Sequence, residues 1–220
     1  MAIQLKNTKD YHLNGIKVLV YGQAGAGKTC LIPTLPNPVV ISVEGGLLSI
    51  SEANIPYIAI STIEELQEAY EYVKNSDYQS IALDSISEIA EVILNSAKKT
   101  VKDPRQAYGE MQEKITDIIR MFRDIEGKHI YFSAKLEKTQ DETGKILNSP
   151  SMPGNKVGQS LPYFFDEVFA LRVEKDEQGN NVRVLQTNID GIWQAKDRSG
   201  KLDMYEKCDL SEIIKKIGGV

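Results

Sequence analysis

The sequence predicts an α/β fold: one domain over residues 1–220 with a mainly parallel sheet, helices on both faces and a late antiparallel hairpin. Three observations predict it. Short β-branched runs alternate with amphipathic helical stretches, the pattern that builds βαβ units. The first clear run, residues 16–21, leads straight into Gly22-Gln23-Ala24-Gly25-Ala26-Gly27-Lys28-Thr29, which fits G-x-x-x-x-G-K-[ST] between a strand and a helix start. Late in the chain the alternation gives way to two extended runs around Gln178-Gly179-Asn180-Asn181, the signature of a hairpin.

In order, residues 1–14 read as a polar leader with one candidate edge strand before Gly15. After the strand at 16–21 and the glycine-rich loop, residues 29–32 open a helix that Pro33 and Pro36 keep short. Residues 39–43 form a second strand, ending at Glu44-Gly45-Gly46, and residues 55–60 a third. Ser61-Thr62-Ile63-Glu64 reads as a capping box before a helix carrying Leu66, Ala69, Tyr70 and Val73. Residues 80–84 make the next strand, and a helix from Ser87 runs to Lys98-Lys99. Asp103-Pro104 breaks that helix, a second runs from about Gly109 to Ile125, and residues 129–133 form a further strand. Residues 135–162 are polar and read as a long functional loop. The hairpin strands lie at 167–173 and 182–187, and a short helix closes the chain near 210–217.

The glycine-rich stretch carries the first functional inference. Glycines allow positive φ, so successive N–H groups can point inward around a polyphosphate. The phosphate-binding set is therefore Gly22, Gln23, Ala24, Gly25, Ala26, Gly27, Lys28 and Thr29, with Cys30 packing behind the loop as a small hydrophobe. Lys28 is placed to reach the β- and γ-phosphates, and the Thr29 hydroxyl to ligate Mg²⁺. The implied ligands are ATP and Mg²⁺.

Composition narrows the setting. At 41% hydrophobic and 26% charged, the chain can bury an ordinary core. No apolar run approaches the roughly 20 residues that span a bilayer, so the sequence predicts a cytoplasmic protein with no membrane partner. Two distant cysteines, Cys30 and Cys208, make no disulfide framework, and His12 and His129 make no zinc site. The net charge of −5 argues against a wholly basic nucleic-acid coat but leaves a local basic groove open.

Four apolar positions ending in Asp84 read as a Walker B strand whose carboxylate holds Mg²⁺ through water; the alternative is a helix-capping Asp before Ser85. No acid follows Asp84 directly. Glu44, at the end of a neighbouring buried run, is the candidate base for the attacking water, unless it is simply a loop residue beside Gly45-Gly46. A base on the strand after the P-loop helix points to the RecA-like branch of P-loop NTPases. No N-K-x-D motif supports a GTPase, and residues 135–162 contain no arginine of the kind that marks a small-molecule kinase lid.

On these residues, together with Gln106-Ala107-Tyr108-Gly109-Glu110, Leu161-Pro162-Tyr163-Phe164-Phe165-Asp166-Glu167-Val168 and Ala195-Lys196-Asp197-Arg198-Ser199-Gly200, the chain resembles phage-encoded RecA-like ATPases. These are related to single-strand annealing and recombination proteins with a minimal RecA core. The resemblance covers nearly the whole chain. It implies that residues 98–108 and 135–159 correspond to two DNA-binding loops, and that Ser133 and Lys135 sit near the γ-phosphate. It also implies that Lys196 and Arg198 reach a neighbour's ATP in a homo-oligomer; the alternative is a solvated charged turn. Single-stranded DNA would be held by Lys98, Lys99, Lys102, Arg105, Lys138, Lys145 and Lys156, with Tyr108 as a stacking platform.

Three functions follow. The leading one is a Mg²⁺-dependent ATPase of phage DNA recombination or replication, stimulated by DNA or oligomerisation and working with phage replication or recombination proteins. The others are a nucleotide-dependent switch that binds a replication protein with little turnover, and a small-molecule phosphotransferase.

Overall fold

A computed structural model describes residues 15–140, 142–154, 158 and 160–218. The leader at 1–14, with its candidate edge strand, lies outside the described residues, as does Lys156.

Among the described residues ten strands form one sheet: β1 (Lys17–Gly22), β2 (Pro38–Ser42), β3 (Tyr57–Ala59), β4 (Ser80–Asp84), β5 (His129–Gln140), β6 (Ile146–Ser151), β7 (Glu167–Lys175), β8 (Asn181–Gln186), β9 (Lys196–Asp197) and β10 (Tyr205–Glu206). Their order is β10-β8-β7-β1-β5-β4-β2-β3, with β6 paired to β5 and β9 to β7. The run β7-β1-β5-β4-β2-β3 is parallel, while β8, β10, β6 and β9 pair antiparallel. This is an α/β P-loop NTPase fold in which β5 separates the strand that feeds the glycine-rich loop from the strand that ends in Asp84.

Side-chain alternation in the central strands feeds two cores. Leu19, Tyr21, Ile41, Leu83 and Phe132 face helices α1 (Ile63–Lys74), α2 (Ile86–Thr100) and α3 (Pro104–Arg123). Val18, Val20, Val40, Ala82 and Tyr131 face Leu31 and Ile32 of the short 3₁₀ turn Thr29–Thr34, its C-cap Leu35, and Leu210, Ile213, Ile214 and Ile217 of helix α4 (Leu210–Ile217). Helices therefore cover both faces, unequally.

Three expectations shift. The capping box sits one residue later: Thr62 is the N-cap, and the Glu65 carboxylate accepts from the backbone of Ser61 and Thr62. Pro104 does not merely break α2; it occupies the first turn of α3, where its missing N–H costs nothing, with Asp103 capping the end. Arg105 and Tyr108 are consequently helical rather than in a loop. The largest correction concerns residues 135–162. Most of this stretch is a β-arm, because β5 continues to Gln140 and pairs with β6 from Lys135↔Ser151 to Gln140↔Ile146. Pro150 is tolerated because β6 is an outer strand that need not donate on both sides.

Candidate functional site

Strand β1 is wholly buried and delivers the glycine-rich loop at its C-terminal end. Gly25 and Gly27 take φ of 75° and 104°, which a side chain would resist. Gly22 lets the loop lie against β7, since a Cβ there would come within 2.8 Å of the Leu171 carbonyl oxygen. Pro33 lies within the turn that follows, which stays 3₁₀ and stops at Thr34.

The loop opens onto a cleft of about 760 Å³. Gly22, Gln23, Ala24, Gly25, Gly27, Lys28, Thr29 and Cys30 line it, whereas Ala26 is turned into the core. Cys30 is exposed to this cleft, not packed behind the loop, because the 3₁₀ turn directs Leu31 and Ile32 inward in its place. The Lys28 ammonium donates to the Gly22 and Gln23 carbonyls at 3.0 and 3.1 Å. Burial lowers its pKa, an effect opposed by Asp84 and Glu44 and reinforced by Lys135. Beneath the loop, the buried Tyr131 hydroxyl donates to the Lys28 carbonyl at 2.8 Å, a support that no local sequence signal announces.

Asp84 ends β4 inside the same cleft. Thr29 Oγ1 donates to Asp84 Oδ2 at 2.8 Å, and the fully buried Ser133 hydroxyl donates to Oδ1. Ser133 therefore orients Asp84 from a buried position beneath the cleft and does not itself line it. The Asp84–Ser85 peptide bond is cis. Ser85 caps α2 and also donates through Oγ to Glu44 Oε1 at 2.8 Å, so the capping role falls to Ser85 and not to Asp84. Parallel pairing of Ser42 with Asp84 brings Glu44 beside them. The donor set fits Mg²⁺, which takes one or two protein oxygens and keeps phosphate and water ligands. Thr29 and Asp84 offer such a half-site, and no cluster of three His, Cys, Asp or Glu among the described residues offers a closed cage.

Lys135 lines the cleft, but its ammonium is paired with Glu88 and with Glu91, the latter at 3.1 Å, and its backbone N–H donates to Ser87 Oγ. It ties β5 to α2 at the rim of the cleft. Lys138, expected on DNA, lines this cleft as well. So does Arg183 from β8, a residue on an alternating hairpin strand that the sequence does not single out.

Lys196 and Arg198 lie elsewhere. Lys196 pairs with Val168 near the start of β7, the opposite sheet edge from the loop, and donates to the Pro162 and Phe165 carbonyls. Arg198 is paired with Asp166 at 2.7 Å. Neither reaches the cleft of its own chain. Among the DNA candidates, Lys98 lies 5.5 Å over the Tyr108 ring, and Gly154 approaches the same ring. Lys99, Lys102 and Arg105 are exposed nearby in sequence, while Lys145 lies beside Gly191, on a separate cavity.

The family model described as AAA domain matches residues 14–199. No curated protein sequence matches the chain. Among solved structures, an ATPase from the type III secretion system of pathogenic bacteria is similar at 13% identity, covering 72% of this chain and 52% of that one, with a TM-score of 0.49. This chain thus spans about half the length of that ATPase. A KaiC-like protein from the hyperthermophilic archaeon Pyrococcus horikoshii OT3 is similar at 16% identity, covering 78% and 77%, with a TM-score of 0.45.

Proposed function

Because the chain belongs to the AAA domain family, matched over residues 14–199, we propose that it is a Mg²⁺-dependent ATPase acting in the cleft beside its glycine-rich loop. The observation that carries this reading is the convergence of Lys28, Thr29, Asp84 and Glu44 on one cleft. Lys28 offsets phosphate charge, while Thr29 and Asp84 supply the magnesium half-site. The metal's chemistry there is to neutralise charge on the β- and γ-phosphates. Glu44, held by Ser85, accepts the proton of the attacking water.

Lys28→Ala removes the cation facing the phosphates and should abolish ATP binding in calorimetry. Glu44→Gln keeps the shape and the Ser85 contact but cannot take a proton. It should bind ATP as the parent does and lose turnover by about 10²–10⁴-fold. A Lys28→Ala variant that binds ATP as well as the parent would overturn the reading.

The finer reading is that ATP state is coupled to single-stranded DNA. Support comes from the resemblance above and from one surface where α2, the start of α3 and the end of β6 meet, with Lys98 and Gly154 on Tyr108. Lys196 and Arg198 would serve catalysis only across an interface with a second copy, and Arg198 would first have to leave Asp166.

A further inference from the structure

The inference rests on the cleft being a nucleotide site and adds a residue to it. Arg183 projects from β8 onto the glycine-rich loop. A Cβ built on Gly27 would lie 2.9 Å from Arg183 Nε and 3.2 Å from its Cδ and Cζ, so the guanidinium lies directly against the loop backbone. Its setting differs from that of Arg172 and Arg198. Arg172 is tied to Glu174, Gln186 and Asp190, and Arg198 to Asp166. The Arg183 backbone is held in the β7–β8 ladder opposite Val173, but its guanidinium makes no hydrogen bond or ion pair with any described residue. The ionisable group it does influence, the Cys208 thiol, is pushed up to about 11 by burial and is no counterion near neutrality.

A guanidinium presents five donors in a fixed fork, a geometry suited to phosphate oxygens. The loop's backbone N–H groups cradle the α- and β-phosphates, and Gly27 belongs to that cradle. We propose that Arg183 contacts the α/β-phosphates of the bound nucleotide from within the same chain, closing the cradle on the side of the β7–β8 hairpin. The cleft then carries a cis-acting cation besides Lys28, and nucleotide occupancy is felt by the hairpin.

Calorimetric titration of the full chain with ADP and with ATP, both with Mg²⁺, tests this. Arg183→Ala should weaken both nucleotides by the same factor, about tenfold or more, as expected for loss of a hydrogen bond to a charged group. Arg183→Lys, which keeps the charge but not the fork, should recover part of the loss. If Arg183→Ala lowers the melting temperature, Arg183→Gln keeps the stem on Gly27 and gives the same readout. Unchanged affinity for both nucleotides would overturn the proposal, and so would a loss confined to ATP, which would place the contact on the γ-phosphate. The reading of the cleft itself is checked separately: if it fails, the parent does not bind or Lys28→Ala binds equally well.

Discussion

Glu167 starts β7 opposite Asp197 of β9 and is 2% exposed, with one carboxyl oxygen lacking a hydrogen-bond partner among the described residues. Burial, then the neighbouring Asp197 charge, push its pKa up to about 8 from 4.5. The folded chain therefore holds a proton that the unfolded chain releases. The contribution of Glu167 to stability is fully present below about pH 4.5, falls as the pH rises through this window, and is lost above about 8. Lys17, lowered to about 8 by burial, contributes with the opposite sign and only above that window. In Glu167→Gln the amide still donates to Asp197 but never ionises. Urea unfolding between about pH 5 and pH 8 should show the parent losing on the order of 2 kcal/mol and the variant losing little. A parallel decline in both would remove Glu167 as the cause. At this scale the sequence is an uneven guide. Lys28, Thr29, Asp84 and Glu44 are legible because each lies in a contiguous motif or directly past the end of a buried run. Arg183, Tyr131 and Ser133 take their roles from side chains that meet only after the sheet forms, across separations such as the 103 residues between Tyr131 and Lys28.

Among the elements, β5 does the most linking. Its first half lies between β1 and β4 and carries Ser133 to Asp84, and beyond Lys135, which still pairs with Gly22, it leaves the parallel sheet as an arm paired with β6. The arm escaped sequence reading because its strands are largely polar, with Leu136 packed on the core and Pro150 inside β6, so apolar alternation does not mark them even though Gly144, at φ 85°, closes the turn between them. The start of α3 escaped for another reason: Pro104 reads equally as a stop and as a first-turn residue. Lys135, bonded to Ser87 and paired with Glu88 and Glu91, fixes the root of the arm to α2. A change at Asp84 thus has a covalent and hydrogen-bonded route to the surface around Lys98 and Tyr108. If single-stranded DNA binds there, neutralising Lys98, Lys99 and Lys102 together should weaken binding without sequence bias. Each lost phosphate contact should lower the log–log salt slope by about 0.7, with ATP affinity nearly unchanged. Fluorescence anisotropy of a labelled oligonucleotide across a salt series measures this. An active protein that binds no oligonucleotide at low salt, with or without ATP, would sink the DNA reading.

At the scale of the whole molecule, the parallel sheet and its coverage on both faces were legible from alternation alone, whereas the unequal division of the two cores was not. The smaller core is shared between the turn that follows Lys28 and the last helix of the described chain, and Leu210 N donates to Thr34 Oγ1 at 2.9 Å across 176 residues. The turn carrying Thr29 and Cys30 is short, and its buried Leu31 and Ile32 share one core with the four buried residues of α4, so α4 is part of the floor on which it rests. Burying a side chain such as Leu210 or Ile213 is worth about 1.5–3 kcal/mol, and α4 buries four. In genetic terms, a stop codon at position 210 should therefore score with Lys28→Ala in an ATP-binding screen, although every residue lining the cleft would still be encoded. A truncated chain that melts early yet binds ATP with parental affinity would show that the loop stands without that floor.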